Sequence, residues 1–249
     1  MKKRVLTTVI AFVLLVAAIA AGLNAIFTVT YVRATFRTYT EKGVAAAEVL
    51  KEQLNGYVNR SSVFLDLSEV RATVEADPRF EVVTIAKEYP ETISVEIVER
   101  REAFAIRSED GSYTVLDEEG VILDTVSSSD GYILLEGFTL TEAEGSVSGE
   151  YFDELLAVYQ AMQESLGEVR ANVDRIELLA PASGWNIFRI YMHEGAQIDL
   201  LNPAERAGEM AAAATQSYLA MTDAQRVWRT ITATVTSEGE IAVDIGSLS

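Results

Sequence analysis

Hydrophobic patterning divides the chain after its first 27 residues. Val5 to Phe27 is an apolar run of 23 positions without a charge. As a helix it would extend about 34 Å, enough to cross a bilayer core with every backbone polar group bonded internally. Lys2, Lys3 and Arg4 precede it and are expected to hold residues 1–4 in the cytoplasm. Arg33, Arg37 and Lys42 follow it and lessen that charge asymmetry. A cleaved signal peptide is the rival reading, because Ala18-Ile19-Ala20 has the small-x-small pattern of a cleavage site. The run continues through Leu23, Ile26 and Phe27, past the ~7–15 residues of an ordinary signal core, and this favours a retained anchor at 5–27. Either reading places the remainder outside the cytoplasm.

Beyond the run, Thr28–Tyr39 alternates branched or aromatic with polar residues and reads as an extended segment. From Gly43, the positions Val44, Ala47, Leu50, Leu54 and Val58 recur at helical spacing. Ser68 is placed to cap a second short helix whose Val70 and Val74 face inward, and Pro78 stops it. Phe80–Ala86 and Thr92–Glu99 then read as two strands joined through Lys87–Glu91, with Ile93, Val95 and Ile97 on one face. Strand, helix, helix, strand, strand is best satisfied by one sheet with both helices on one face, because each helix has a single apolar stripe to bury.

From Arg101 the pattern changes to short strands, at 103–107, 113–116, 121–124 and 132–135. Glu150–Leu166 is an amphipathic helix with Phe152, Leu155, Leu156, Tyr159, Met162 and Leu166 on its apolar face. Strands follow at 175–179, 187–192 and 197–201. Asn202-Pro203-Ala204-Glu205 resembles a capped helix start, with Pro at the first position. Arg229–Thr236 and Ile241–Ile245 form a closing hairpin around Gly239. The fold class expected is α+β: one membrane helix, a β-α-α-β-β domain over 28–100, and a mostly antiparallel β domain with two helices over 101–249.

Composition narrows the function. The formal charge is −18, and removing the three basic residues of the N-terminal tail leaves 17 basic and 38 acidic residues. Such a surface repels phosphate backbones and anionic headgroups, so nucleic-acid and peripheral lipid binding are disfavoured. No cysteine is present, which removes disulfides, thiolate metal sites and cysteine nucleophiles.

One group of residues carries a resemblance. Phe64-Leu65-Asp66-Leu67, Val70, Asp77-Pro78-Arg79-Phe80, Tyr89-Pro90-Glu91-Thr92-Ile93-Ser94-Val95 and Val98-Glu99-Arg100 together resemble the POTRA domain of the FtsQ/DivIB cell-division family. The order of short tail, single span, POTRA domain and β-rich domain is similar as well. Glu102 stands where the family often has proline, Tyr132–Gly137 lacks a usual proline, and no glycine turn is evident between Arg33 and Thr40. The resemblance implies a non-enzymatic divisome scaffold in the cytoplasmic membrane at the septum. Its partners would be FtsL-like and DivIC/FtsB-like ectodomains, with other septal proteins as further candidates. It implies partner binding by strand pairing near the C-terminus, at Thr230, Ile231, Thr232, Ala233, Thr234 and Val235 or along Glu240–Ile245, with Tyr89 and Pro90 of the POTRA hairpin as further partner-binding residues. Pairing of both closing strands within their own sheet is the alternative.

Other chemistry is weakly signalled. His193 is the only histidine and lies at a strand end beside Glu194-Gly195, where a surface turn is expected rather than a catalytic dyad. Asp117-Glu118-Glu119-Gly120 lacks the spaced oxygen ligands of a calcium loop, and no glycine-rich phosphate loop exists. No catalytic, cofactor or metal residue is assigned. Trp185 and Trp228 could anchor a partner, although core burial is the ordinary role of tryptophan. An anchored cell-wall enzyme and a POTRA-type secretion chaperone are the alternative functions.

Overall fold

The computed structural model describes residues 10–16, 18, 19, 22, 26–180 and 184–248, apart from the side chain of residue 205. The expected cytoplasmic tail at 1–4 and much of the expected span at 5–27 lie outside the described residues. Residues 10–16 are helical, with Phe12 and Leu14 exposed. Among the described residues no helix is long and apolar enough to cross a membrane. The chain divides into two compact units, Met1–Arg100 and Arg101–Ser249.

The first unit runs β1 (Tyr31–Arg37), α1 (Glu41–Asn55), α2 (Leu67–Glu75), β2 (Phe80–Glu88) and β3 (Thr92–Glu99). The sheet order is β1-β3-β2, with β1 parallel and β2 antiparallel to the central strand. Ile93, Val95 and Ile97 meet Leu50, Leu54, Val70 and Val74 in one core, as the spacing predicts. The opposite sheet face is polar, with Arg33 paired to Glu88 at 2.9 Å and Arg37 to Glu96 at 3.5 Å.

Two helix starts differ from the sequence expectation. The cap of α2 is Asp66, whose carboxylate accepts from the Ser68 amide at 2.9 Å. Ser68 therefore supplies a bonded amide rather than the capping oxygen. The cap of α1 is Thr40, which accepts from the Gly43 amide. The buried Glu99 carboxylate accepts in turn from the amides of Tyr39 and Thr40, at 2.5 and 3.0 Å, and from the Thr40 hydroxyl. This carboxylate ties the end of β3 to the junction of β1 and α1. A Cβ at position 43 would lie 2.2 Å from the Glu99 carboxyl carbon, which explains a glycine inside a helix where its propensity is poor.

The second unit begins with β4 (Glu102–Arg107), β5 (Tyr113–Asp117), β6 (Ile122–Val126), β7 (Ile133–Glu136), β8 (Leu140–Ala143) and β9 (Ser146–Gly149). It continues with α3 (Phe152–Leu166), β10 (Val173–Leu179), β11 (Ile187–Met192), β12 (Gln197–Leu201), α4 (Ala207–Leu219), α5 (Asp223–Arg226), β13 (Arg229–Val235) and β14 (Ile241–Ser247). Nine strands form one sheet in the order β14-β13-β12-β11-β10-β7-β4-β5-β6, and β8 and β9 form a separate hairpin. The sheet is mixed, because β7 lies parallel to β4 and β10, and β12 lies parallel to β13. These parallel contacts follow from crossovers, since β12 reaches β13 through α4.

Register fixes the two faces. Ile176, Ile190, Ile198, Ile231 and Ile245 form one cross-strand row, and the first four are buried with Leu155, Met162, Met210 and Ala214 of α3 and α4. The adjoining row on the other face is Glu177, Arg189, Asp199, Thr232 and Asp244. Its central pair is bidentate, with Arg189 Nε and Nη2 donating to Asp199 at 3.0 and 2.9 Å. That hydrogen bond raises the pKa of Arg189 further above its ordinary value. The helix start expected at 202–205 is instead a short 3-10 turn, Ala204–Arg206, and α4 begins at Ala207 without a side-chain cap. Leu156 and Leu166 are only partly buried, and the β8–β9 hairpin occupies a stretch where the sequence pattern predicts no strand.

Candidate partner-binding edge

An open sheet must end in two strands whose outer N–H and C=O groups lack ladder partners, and such groups are the natural template for a further strand. Apart from the β8–β9 hairpin, the two larger sheets present four edges among the described residues: β1, β2, β6 and β14. Three carry features that discourage pairing. The β1 strand bears Arg33 and Arg37. The β2 strand has a register break between Val82 and Thr84, and Lys87 Nζ donates to the Val63 carbonyl at 3.0 Å. The β6 strand has five residues and meets the β8–β9 hairpin at its start. There the Ile122 amide donates to the Gly145 carbonyl at 2.8 Å, and Val121 bridges Ser146.

The β14 edge carries fewer of these. It has seven residues, no proline, no register break and one charge, Asp244. Its phase follows from two bonds. At one end of the hairpin the Thr236 amide donates to the Glu240 carbonyl at 2.8 Å, and at the other the Leu248 amide donates to the Trp228 carbonyl at 2.9 Å. Antiparallel pairs alternate between bonded and non-bonded, so this register turns the backbone groups of Ala242, Asp244 and Gly246 toward β13. Ile241, Val243, Ile245 and Ser247 direct theirs outward. The exposed Ile245 and the half-exposed Ile241 and Val243 share the helix side, while Asp244 lies on the other face.

This topology corrects one expectation. Thr230, Ile231, Thr232, Ala233, Thr234 and Val235 lie on β13, which is not an edge. Its residues from Thr230 to Ala233 pair with β12 on one side, and the whole strand pairs with β14 on the other. A hairpin pattern in sequence marks both strands alike and does not say which one meets the neighbouring sheet. Of the two strands proposed, β14 is the edge. Tyr89 and Pro90 form the turn between β2 and β3 in the other unit. Tyr89 is exposed and meets the Phe27 ring edge-to-face at 6.0 Å, and the Pro90 carbonyl accepts from Ser62.

The remaining candidates resolve simply. His193 is an exposed turn residue whose Nε2 lies 3.2 Å from the Arg170 carbonyl. Asp117 is buried, and its carboxylate accepts from the amides of Glu119 and Val121, so it shapes the turn instead of facing solvent. Among the described residues no three His, Cys, Asp or Glu side chains could hold a metal ion. Both tryptophans are exposed, against the expectation of burial: Trp185 by 53% and Trp228 by 70%.

Residues 43–100 match the family model described as POTRA domain, FtsQ-type. With its β-α-α-β-β order, the first unit makes this chain a POTRA-domain protein. A curated relative, cell division protein FtsQ of Bradyrhizobium diazoefficiens, is 36% identical over 72 residues, which is 28% of this chain and 21% of the relative. The domain match and this relative make the POTRA domain similar to that of FtsQ-type cell-division proteins. The aligned part spans about a fifth of the relative's length. Among solved structures, the major extracytoplasmic domain of the trans isomer of the bacterial cell division protein DivIB from Geobacillus stearothermophilus is 17% identical. That comparison covers 50% of this chain and 98% of the other, with a TM-score of 0.26, a likeness too slight to add to the assignment.

Proposed function

We propose that this chain is a non-enzymatic scaffold of the division machinery that holds FtsL-like and DivIC/FtsB-like ectodomains at the septum through its β14 edge. The FtsQ-type match over residues 43–100 is the observation that carries the division role. Support for the binding mode comes from β14, the least protected of the four sheet edges. Main-chain pairing would supply affinity, and alternate side chains of the added strand would supply specificity. Residues 5–27 would anchor the chain in the cytoplasmic membrane, with residues 1–4 inside and the two units outside, as the uncharged run suggests. Thr230–Val235 would serve as the inner strand that holds β14 in register. Tyr89 and Pro90 remain a proposed contact of the POTRA domain.

The test is a pair of neighbouring substitutions in the full chain, read by co-purification with the FtsL- and FtsB-like proteins of the same cells. Val243→Pro removes an outward amide, and Asp244→Pro removes an amide bonded to β13. The reading predicts that Val243→Pro leaves both units folded and loses the partners. Retention of both partners by a folded Val243→Pro chain would eliminate β14 as the site.

A further inference from the structure

We propose that the corner before β13, built from Leu219, Val227 and Trp228, is a docking point for a partner segment that offers a basic side chain between apolar ones. Trp228 has a backbone φ of 61°, in the left-handed region that bulky side chains rarely occupy, and is 70% exposed. No hydrogen bond or ring contact engages its indole among the described residues. The neighbouring residues hold the corner firmly. The Arg226 guanidinium sits 4.4 Å from the centroid of the buried Tyr218 ring and donates to the carbonyls of Tyr218 and Leu219 at 3.1 and 3.4 Å. It also pairs with Asp223 at 3.3 Å and with Glu194 at 3.7 Å. Arg229 Nε donates to the Gln225 carbonyl at 3.2 Å, and Nη1 donates to Ser247. A rigid frame thus keeps a large indole in water at a backbone cost, which a purely structural role does not require.

The chemistry of the occupant follows from what surrounds the indole. Val227 and Leu219 are 42% and 43% exposed and extend the apolar patch. Exposed carboxylates stand at the corner, with the Asp223 side chain 94% exposed and Glu194 39% exposed, while the adjoining Arg229 is held by the Gln225 carbonyl and the Ser247 hydroxyl. Arg226 is already committed to two carboxylates. A cation stacked on an indole is attracted by the ring face and by the field of a chain whose formal charge is −18. The corner also adjoins the free edge, since the Trp228 carbonyl accepts from the Leu248 amide just past β14. A strand paired along β14 would end beside it, and for the identity of its partner this inference rests on the proposed strand addition.

The experiment uses the full chain in detergent with two nine-residue peptides, one alternating valine with lysine and one alternating valine with glutamate. Binding is followed by interferometry and self-association by sedimentation. Wild type should bind the lysine peptide and not the glutamate peptide. Trp228→Ala should weaken the lysine peptide about tenfold, while Trp228→Tyr stays within about threefold, because the ring face is kept. The melting midpoint of Trp228→Gly should be unchanged or raised, since glycine adopts this φ freely. Equal affinity of wild type and Trp228→Ala, no binding of the lysine peptide, or a Trp228-dependent dimer without peptide would overturn the proposal. Val243→Pro separates the two ideas. Loss with Val243→Pro but not with Trp228→Ala removes this corner and leaves the edge standing. Loss with Trp228→Ala alone keeps the corner and removes the edge.

Discussion

The two ends of the nine-stranded sheet solve the same problem in opposite ways. At β6 the outer backbone is short and partly occupied, because the β8–β9 hairpin folds over it and takes the Ile122 amide. At β14 no further strand pairs outside its seven residues among the described residues, and Val243 and Ile245 direct their amides and carbonyls outward beside apolar side chains. Both strands face the same hazard of unwanted pairing. A chain that spends a hairpin and a bridge on closing one edge has the means to close the other. The difference is what motivates the proposal that β14 takes an added strand from a partner.

The largest test removes the protection of β6. Val147 on β9 is buried in the core of the second unit. Val147→Asp should cost about 3 kcal/mol of that unit's stability by burying a charge, and the loosened hairpin should uncover β6. Denaturant melts would read the stability. Sedimentation should show new concentration-dependent association, and a monomer that stays monomeric would mean that β6 needs no guard. The second test closes β14. Val243→Pro should lower partner affinity about a hundredfold, roughly 2.7 kcal/mol, while costing folding only about 1 kcal/mol. Asp244→Pro should do the reverse, costing folding about 2 kcal/mol because a bond to β13 is lost. Calorimetry with and without the partner ectodomains separates the two. The smallest test gives β14 the kind of charge that β1 already carries. Ile245→Lys should weaken binding about fivefold, roughly 1 kcal/mol, with little change in melting.

Local signals in the sequence carried much of this. The alternation of Thr92–Glu99 and the spacing of Val70 and Val74 reported a half-buried strand and a one-sided helix, and both are buried as those periods require. Contacts between distant residues were not legible. Thr40 caps α1 partly because Glu99, 59 residues away, holds its amide and hydroxyl, and nothing near Thr40 announces that partner. The insertion of β7 between β4 and β10, with parallel pairing on both sides, depends equally on nonlocal packing. The site was half readable. The closing hairpin was evident from its valines, isoleucines and Gly239, yet which strand lay outside depended on the pairing of β13 with β12. The apolar ring of tryptophan predicts a core position for Trp228. Its exposure comes from a corner fixed by Arg226 and Tyr218, which no periodicity reveals.

Amide hydrogen exchange along β14, measured with and without the FtsL- and FtsB-like ectodomains, tests the central claim most directly. In the free chain Ala242, Asp244 and Gly246 should exchange slowly and Val243, Ile245 and Ser247 quickly, because only the first set is bonded to β13. Adding the partners should slow Val243, Ile245 and Ser247 and leave β6 unchanged. Partner binding that leaves those three amides fast, or that protects β6 in their place, would contradict the account.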